Sequence, residues 1–109
     1  MKQNKVRKTA AEPAGQFLVE RLQTGVRMEK RLLKVLKALA EYHDLTLGDL
    51  LEGIVLHAFD GKSPFGEESL RRIAELKRIY HLDLEASASH RLEEKKDKRI
   101  KRKNDLVKR

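Results

Sequence analysis

The sequence predicts a small, mainly α-helical domain in which one short strand precedes two amphipathic helices. Apolar and polar residues alternate over residues 21–28, which is typical of a half-buried strand. The apolar period then lengthens to that of a helix over residues 30–43, and again over residues 47–59. A third helix and two charged tails complete the predicted chain.

The composition limits the size of the hydrophobic core that the 109-residue chain can form. Charged residues make up 39% of the chain, aromatic residues 5%, and there is no tryptophan. A domain with so little apolar material commonly gains stability by oligomerising. There is no cysteine, which excludes disulfides and thiolate metal sites and suits a reducing compartment. We therefore expect a cytoplasmic protein, and because no apolar run approaches about 20 residues, we expect no membrane partner.

The net charge of +8 lies mainly at the two ends of the chain. Residues 95–109 hold nine Lys and Arg against two Asp, and residues 1–14 hold four against one Glu. Residues 15–94 hold twelve basic and fourteen acidic residues. Within them, residues 21–37 form a basic patch with six Lys and Arg against one Glu. Basic tails and a basic patch indicate a polyanionic partner, and tails that only aid solubility are the alternative.

The pattern divides the chain into four parts. Residues 1–15 are polar and lack periodicity, which predicts a flexible basic arm. Residues 16–61 contain the strand and both amphipathic helices, and are expected to form the folded module. Residues 62–90 are predicted to hold an accessory helix and an irregular connector. Residues 91–109 are expected to form a highly charged basic tail, either as a solvated helix or without order.

The predicted strand has two different faces. Its apolar face is formed by Leu22, Thr24, Val26 and Met28. Its polar and basic face is formed by Arg21, Gln23, Gly25 and Arg27. A strand this short cannot satisfy its backbone hydrogen-bonding groups alone, so it requires a partner strand.

The helix boundaries carry their own signals in the sequence. Thr46 stands where the N-cap of the second helix is expected, with Asp49 three residues later as in a capping box. Gly61 is expected to end this helix in the left-handed conformation. A third helix is predicted from about Glu67 to Tyr80, because acidic residues occupy its first turn and basic residues its last.

One continuous stretch places a short strand, a Leu-rich helix, a tight turn and a Thr-led helix in order: TGVRMEKRLLKVLKALAEYHDLTLGDLLEGIVLHAF. It resembles the ribbon-helix-helix family of DNA-binding proteins (the Arc, MetJ and CopG type). The strand ends in an apolar-Arg-apolar triplet at residues 26–28, which is similar to the family's usual pattern. The resemblance covers residues 21–59. It departs from the family at residues 43–45, where many members carry a Gly in the turn, and at Gly25, which offers no side chain.

The resemblance implies a twofold-symmetric homodimer in which two strands pair antiparallel and four helices interlock beneath them. The two-stranded ribbon would enter the major groove of double-stranded DNA, and the second helix would point its N-terminus at a phosphate. The expected dimer core is Leu22, Val26, Met28, Leu36, Leu39, Leu50, Ile54 and Val55. The residues expected to contact bases are Arg21, Gln23, Gly25 and Arg27. Those expected to contact phosphates are Lys30, Arg31, Lys34, Thr46, Leu47 and Gly48.

No pattern in the sequence indicates catalysis or a bound cofactor. The four histidines show no ligand spacing, and His43 is expected on the apolar side of the first helix. The chain offers no nucleophile–base signature and no glycine-rich phosphate loop. We therefore expect neither enzyme activity, nor a metal site, nor a cofactor.

Three functions are compatible with this pattern. The first is a transcriptional regulator, a repressor, that binds specific DNA as a dimer or as dimers side by side. The second is an antitoxin in which residues 62–109 cover a toxin, although the basic composition of the last segment suits an acidic partner better. The third is a protein-interaction module that keeps the fold without specific DNA binding, as the acidic balance of residues 15–94 would allow.

Overall fold

The computed structural model describes residues 15–95, and this part of the chain is mainly α-helical, as the sequence predicts. Its helices are α1 (Lys30–Tyr42), α2 (Leu47–Phe59) and α3 (Glu67–Ile79). A short 3₁₀ turn, Ala86–Ala88, follows in the connector. The predictions for the arm and for most of the basic tail fall on residues 1–14 and 96–109, which lie outside the described residues.

All three helices end in the same way, with one residue in the left-handed conformation. These residues are Asp44 (φ 57°), Gly61 (φ 70°) and His81 (φ 58°). In each case the N–H of the following residue bonds a carbonyl of the last helical turn, as in a Schellman motif. The N···O distances are 2.9 Å for Leu45–Ala40, 2.8 Å for Lys62–His57 and 2.8 Å for Leu82–Lys77. Aspartate tolerates this conformation better than most residues, which explains how the turn after α1 forms without a glycine.

Side chains cap the N-termini of the first two helices. The Thr46 hydroxyl accepts a hydrogen bond from the Asp49 N–H at 3.0 Å, which confirms the predicted N-cap of α2. The Glu29 carboxylate does the same for α1, accepting from the Leu32 N–H at 2.8 Å. Gly66 precedes α3 and provides no side-chain cap. Local sequence therefore sets where α1 and α2 begin.

The core lies along α1, which packs against both α2 and α3. Its centre is Leu39, which is only 1% exposed, together with Ala40 and Leu50. Partly buried apolar residues surround this centre, namely Leu36, Ile54, Phe65, Ile73 and Leu76. The accessory helix α3 thus contributes to the same core as the predicted module.

Polar contacts join the end of α1 to the start of α3, so the two helices run antiparallel. The Tyr42 hydroxyl donates to the Glu68 carboxylate at 2.6 Å, and the Arg72 guanidinium lies 4.3 Å from the centre of the Tyr42 ring. His43 Nε2 lies 3.0 Å from the Ser69 hydroxyl. The expectation that His43 lies on the apolar side of α1 is wrong, because this residue is the exposed C-cap of the helix.

Residues 15–29 precede α1 in an irregular conformation, and the described part of the chain contains no β-strand. Residues 15–28 make no backbone–backbone hydrogen bond with any described residue. A β-ladder requires a second strand, and residues 15–95 offer none for this segment to pair with. The predicted strand therefore does not form within the single chain.

The residues predicted to form one dimer core separate into two groups in the single chain. Leu36, Leu39, Leu50 and Ile54 belong to the core that α1, α2 and α3 share within one chain. Met28 is half-buried. By contrast, Leu22, Val26 and Val55 are exposed, with 91%, 74% and 42% of their surface accessible. The prediction of one continuous core is corrected in this respect, because α3 covers part of α1 and the segment before α1 stays unpaired.

Among residues 15–95, none of the helices has the length and apolar character required to cross a membrane.

The left-handed residue after α3 yields a test of how the helices end. We expect His81→Gly to raise the free energy of unfolding by about 0.5–1 kcal/mol, because glycine adopts positive φ without steric cost. Urea unfolding at a fixed protein concentration measures this change. The slope of the unfolding free energy against urea concentration should stay the same as in the wild type. The matched control is Gly61→Ala, which should lower stability by about 1 kcal/mol. Nothing lies within 4 Å of a Cβ built at Gly61, so the control reports backbone conformation alone. A lower midpoint for His81→Gly would contradict this account.

Candidate nucleic-acid interface

The predicted base-contacting residues all lie in the segment before α1, and all four are exposed. Gln23 makes no side-chain hydrogen bond within the described part of the chain. A Cβ built at Gly25 would meet nothing within 4 Å, so packing within one chain does not require a glycine there. The polar face predicted from the alternation is thus accessible to a partner, but its two arginines already have partners within the chain.

Arg21 is bound to the outer side of α2. Its guanidinium makes two parallel hydrogen bonds with the Glu52 carboxylate, each of 2.8 Å, and lies 3.3 Å from Asp49. The hydrogen bond and the charge of Glu52 raise the pKa of Arg21, and the same hydrogen bond lowers the pKa of Glu52. Arg21 therefore links the segment to the first turns of α2 within the chain, and a contact with bases would require it to leave these carboxylates.

Arg27 pairs with Glu94 at the other end of the described chain. Its Nε donates to the Glu94 carboxylate at 3.0 Å, and its Nη2 contacts the second carboxylate oxygen. The hydrogen bond and the charge of Glu94 raise the pKa of Arg27, and Arg27 lowers the pKa of Glu94 in turn. Both side chains are mostly exposed to solvent. Exposed pairs of this kind are weak and screened by salt, so another anion can replace Glu94.

Arg31 ties the start of α1 to the connector that follows α3. Its Nε lies 3.0 Å from Glu29, and its Nη1 donates to the His81 carbonyl at 2.9 Å and lies 3.0 Å from Asp83. The hydrogen bond from Arg31 to Glu29 raises the pKa of the arginine. The sequence predicted a phosphate contact for Arg31, but in the structure three acceptors of its own chain surround this guanidinium.

Lys30 and Lys34 lie on the exposed side of α1, as expected for residues that contact phosphates. The ammonium of Lys34 lies 6.0 Å from the centre of the Tyr80 ring, at the outer limit of a cation–π contact. Neither lysine forms a salt bridge with a described residue. Of the basic residues predicted to contact phosphates, Lys30 and Lys34 are therefore the two that make no salt bridge with a described residue, and Lys37 of the basic patch shares this property.

The N-terminus of α2 combines Thr46, Leu47 and Gly48, the remaining predicted phosphate contacts. Thr46 is exposed and already caps the helix through its hydroxyl. A Cβ built at Gly48 would meet only the Thr46 hydroxyl at 3.9 Å, an ordinary contact, so the surface above Gly48 is open. Arg21 lies beside this helix start and offsets the negative charge of Asp49 there. The free N–H groups of a helix N-terminus can bind an anion, but Asp49 and Glu52 together outweigh the charge of Arg21 at this helix start.

A cleft of about 1430 Å³ opens between the segment that enters α1, the end of α3 and the chain after it. We call it the α1–connector cleft. Its charged lining combines five basic residues, Lys30 and Lys34 among them, with three glutamates, and its aliphatic and Met lining is Val26, Met28, Leu32, Ile79, Leu84 and Leu92. The sequence did not predict this cleft, because the residues after α3 follow no period. The only signal was an alternation of Leu82 and Leu84 with charged neighbours.

The histidines of the described chain take part in local hydrogen bonds. His57 Nδ1 lies 2.7 Å from the Gly53 carbonyl one turn earlier in α2. Within residues 15–95, no group of three or more His, Asp or Glu side chains is arranged to hold a metal ion.

Comparison of the chain with protein-family models, with curated proteins and with solved structures found no match. The resemblance to ribbon-helix-helix proteins therefore rests on the order of elements and on the residues described above.

The cap of α1 gives a prediction about pH. Burial alone would raise the pKa of Glu29, but the hydrogen bond from Leu32 and the contact with Arg31 outweigh it and hold the pKa below its ordinary value. A lowered folded pKa stabilises the fold above the unfolded pKa, and this contribution is lost as the pH falls through the folded pKa. We expect Glu29→Gln to cost about 0.5–1 kcal/mol at pH 7 and nothing well below pH 4.

Unfolding titrations at several pH values measure this difference between wild type and variant. Glu41→Gln removes an exposed carboxylate from the same helix and serves as the control, with a smaller effect at pH 7. A difference for Glu29→Gln that persists unchanged in acid would refute the role of the Glu29 charge.

The contacts of Arg31 predict a structural role for this residue. We expect Arg31→Ala to lower the thermal midpoint by several degrees, because the connector after α3 loses its link to α1. Lys30→Ala removes the same charge from an adjacent exposed position and should leave the midpoint nearly unchanged. Thermal unfolding at equal concentration measures both variants, and equal midpoints would show that Arg31 does not hold the connector.

Proposed function

We propose that the chain is a DNA-binding transcriptional regulator that acts as a homodimer. In this proposal, residues 21–28 of two copies pair into an antiparallel ribbon, and the ribbon enters the major groove of double-stranded DNA. One observation carries the proposal. The segment before α1 alternates polar with apolar residues, its apolar side chains are exposed, and its backbone makes no backbone hydrogen bond with a described residue.

The exposed apolar surface supports the dimer. Leu22 and Val26 lie on one face of the segment, and Val55, Leu56 and Phe59 leave the second half of α2 uncovered. Contiguous apolar surface of this kind commonly marks an interface. A second copy would pair the free backbone groups and cover these side chains in the same step, which is how a strand too short to be stable alone is stabilised.

Charge and apolar pairing favour one register for the ribbon. With Gly25 on the twofold axis, Leu22 of one copy faces Met28 of the other, and no like charges face each other across the strands. A slip of two residues in one direction would place Arg21 opposite Arg27, which is unfavourable. A slip in the other direction would leave Leu22 beyond the end of the partner strand. Register is strongly specified when one face of a strand is buried.

The polar face then divides the recognition of DNA between several residues. In such a ribbon Gln23 and Arg27 would point away from the helices, where glutamine can pair with adenine and arginine with guanine in the major groove. Arg27 would exchange the Glu94 carboxylate for a guanine edge. Arg21, held beside the start of α2, is better placed to support a phosphate there than to read a base. Lys30 and Lys34 would add contacts to the DNA backbone.

A second candidate is a protein-interaction module that keeps the dimer without specific DNA binding. The pairing of Arg21 and Arg27 with carboxylates of the same chain favours it, because both basic groups of the polar face are already neutralised. The two candidates differ in one measurable quantity. A regulator should bind its selected sequence roughly 10³-fold more tightly than a scrambled duplex, whereas the module should show a ratio near one.

Selection of bound sequences from a random DNA pool, followed by affinity measurements on one variant pair, tests the regulator. We expect the full chain to enrich a short palindrome or repeat, and Arg27→Ala to weaken binding to it by roughly 10–100-fold with relaxed base preference. Arg71→Ala on exposed α3 removes the same charge away from the ribbon and should cost less than about threefold at the same salt concentration. Recovery of no preferred sequence, or equal losses for the two variants, would exclude readout by Arg27.

A further inference from the structure

Three consecutive large apolar residues precede the ribbon segment and stand open to solvent. Phe17, Leu18 and Val19, which we call the apolar arm, are 83%, 102% and 64% exposed. A single exposed apolar residue needs no explanation, but three in a row, with no backbone hydrogen bond to a described residue, favour an interaction site. The arm lies just outside the stretch that resembles ribbon-helix-helix proteins, so the proposed ribbon does not account for it.

The α1–connector cleft has the complementary character. Ile79 and Leu92 line it and remain 64% and 52% exposed, while Met28 and Leu32 at its inner side are half-buried. Its volume of about 1430 Å³ exceeds what three apolar side chains fill, so it can admit an extended segment. The cleft thus offers apolar surface that nothing in the described chain covers.

We infer that the apolar arm of one copy docks in the α1–connector cleft of the second copy. This inference rests on the proposed dimer and its register. With Gly25 on the twofold axis, residues equally distant from it in the two chains lie level with each other as far as Lys30, where α1 begins. Leu18 therefore lies two residues beyond the start of the second copy's α1, the region in which Met28 and Leu32 line the cleft. Seven extended residues span about 23 Å, enough to pass the partner strand and reach the first turns of α1.

Charge supports the same placement. Glu20 joins the arm to the ribbon segment, and in this register it comes level with Lys30 of the second copy, in a cleft lined by five basic residues and three glutamates. Lys34 lies one turn further along α1 on the exposed side. Opposite charges facing each other across an interface fix its register and disfavour other alignments.

The arm's own cleft is a less suitable destination. Arg21 follows the arm and is bound to Glu52 and Asp49, so this end of the segment lies on the α2 side of α1. The cleft lies where α1 meets the end of α3. The arm of one chain therefore starts beside α2 and not beside the contact of α1 with the end of α3 that forms its own cleft, whereas the antiparallel ribbon would carry it to the start of α1 in the other copy.

Disulfide trapping between two single-cysteine variants tests the inference, because the natural chain has no cysteine. Leu18→Cys is mixed with Ile79→Cys, the subunits are allowed to exchange, and mild oxidation follows. We expect a disulfide-linked pair of unlike chains. The matched control mixes Leu18→Cys with Leu70→Cys, since Leu70 is a similarly exposed residue of α3 that does not line the cleft. It should cross-link at least about tenfold less.

The dimerisation constant supplies the second measurement. We expect Leu18→Ser to weaken the dimer by roughly 10–100-fold, the loss that corresponds to burying one leucine side chain. Leu70→Ser should leave the constant nearly unchanged.

Sedimentation of the wild type separates the two proposals, because a monomeric wild type would overturn the proposed dimer itself. A dimeric wild type with equal cross-linking to both positions, or with an unaffected Leu18→Ser variant, would overturn the docking of the arm and leave the ribbon standing. A disulfide within one chain of a Leu18→Cys/Ile79→Cys double variant would assign the arm to its own cleft and also overturn the inference.

Discussion

The unpaired backbone before α1 is the constraint on which the rest of this molecule depends. Exposed peptide groups can bond to water, but a β-strand forms only where its N–H and C=O groups pair with a second strand, and residues 15–28 find no backbone partner within the described chain. The same segment leaves Leu22 and Val26 exposed. Pairing with another strand would supply backbone partners and cover these apolar side chains in one step. If the pairing is between two copies, the stability of the segment depends on protein concentration, because folding of this part and assembly are one equilibrium.

The third helix changes what such an assembly has to achieve. In a bare strand-helix-helix module, the apolar sides of both helices would be left to the partner chain. Here α3 packs on α1, and Ile73 and Leu76 join the cluster around Leu39 and Leu50. A core therefore exists before any second copy arrives. The apolar surface left for a partner chain is therefore smaller. It consists of the segment before α1 and the exposed half of α2 that ends at Phe59.

The parts of this structure that could be predicted are those whose information is local. Each helix begins and ends within a residue of its predicted position, because periodicity and caps such as Thr46 act over a few residues. The ion pairs of Arg21, Arg27 and Arg31 could not be predicted, since each guanidinium had many carboxylates within possible reach and only the packing of helices selects one. The cleft was missed for the same reason, because it arises where α1 meets a connector without periodicity.

These ion pairs separate two tasks that the basic patch appeared to combine. On the proposed function, an arginine held by a carboxylate of its own chain adds little to the long-range attraction of DNA, because the pair is nearly neutral at a distance. Attraction then falls to Lys30 and Lys34 and to the basic ends of the sequence. Arg27 contributes only at contact, where the geometry of a guanine edge can replace the Glu94 carboxylate with two hydrogen bonds of its own. On this proposal, the residues that attract DNA from a distance differ from the residue that contacts its bases. The near-neutral balance of residues 15–94 follows from this difference.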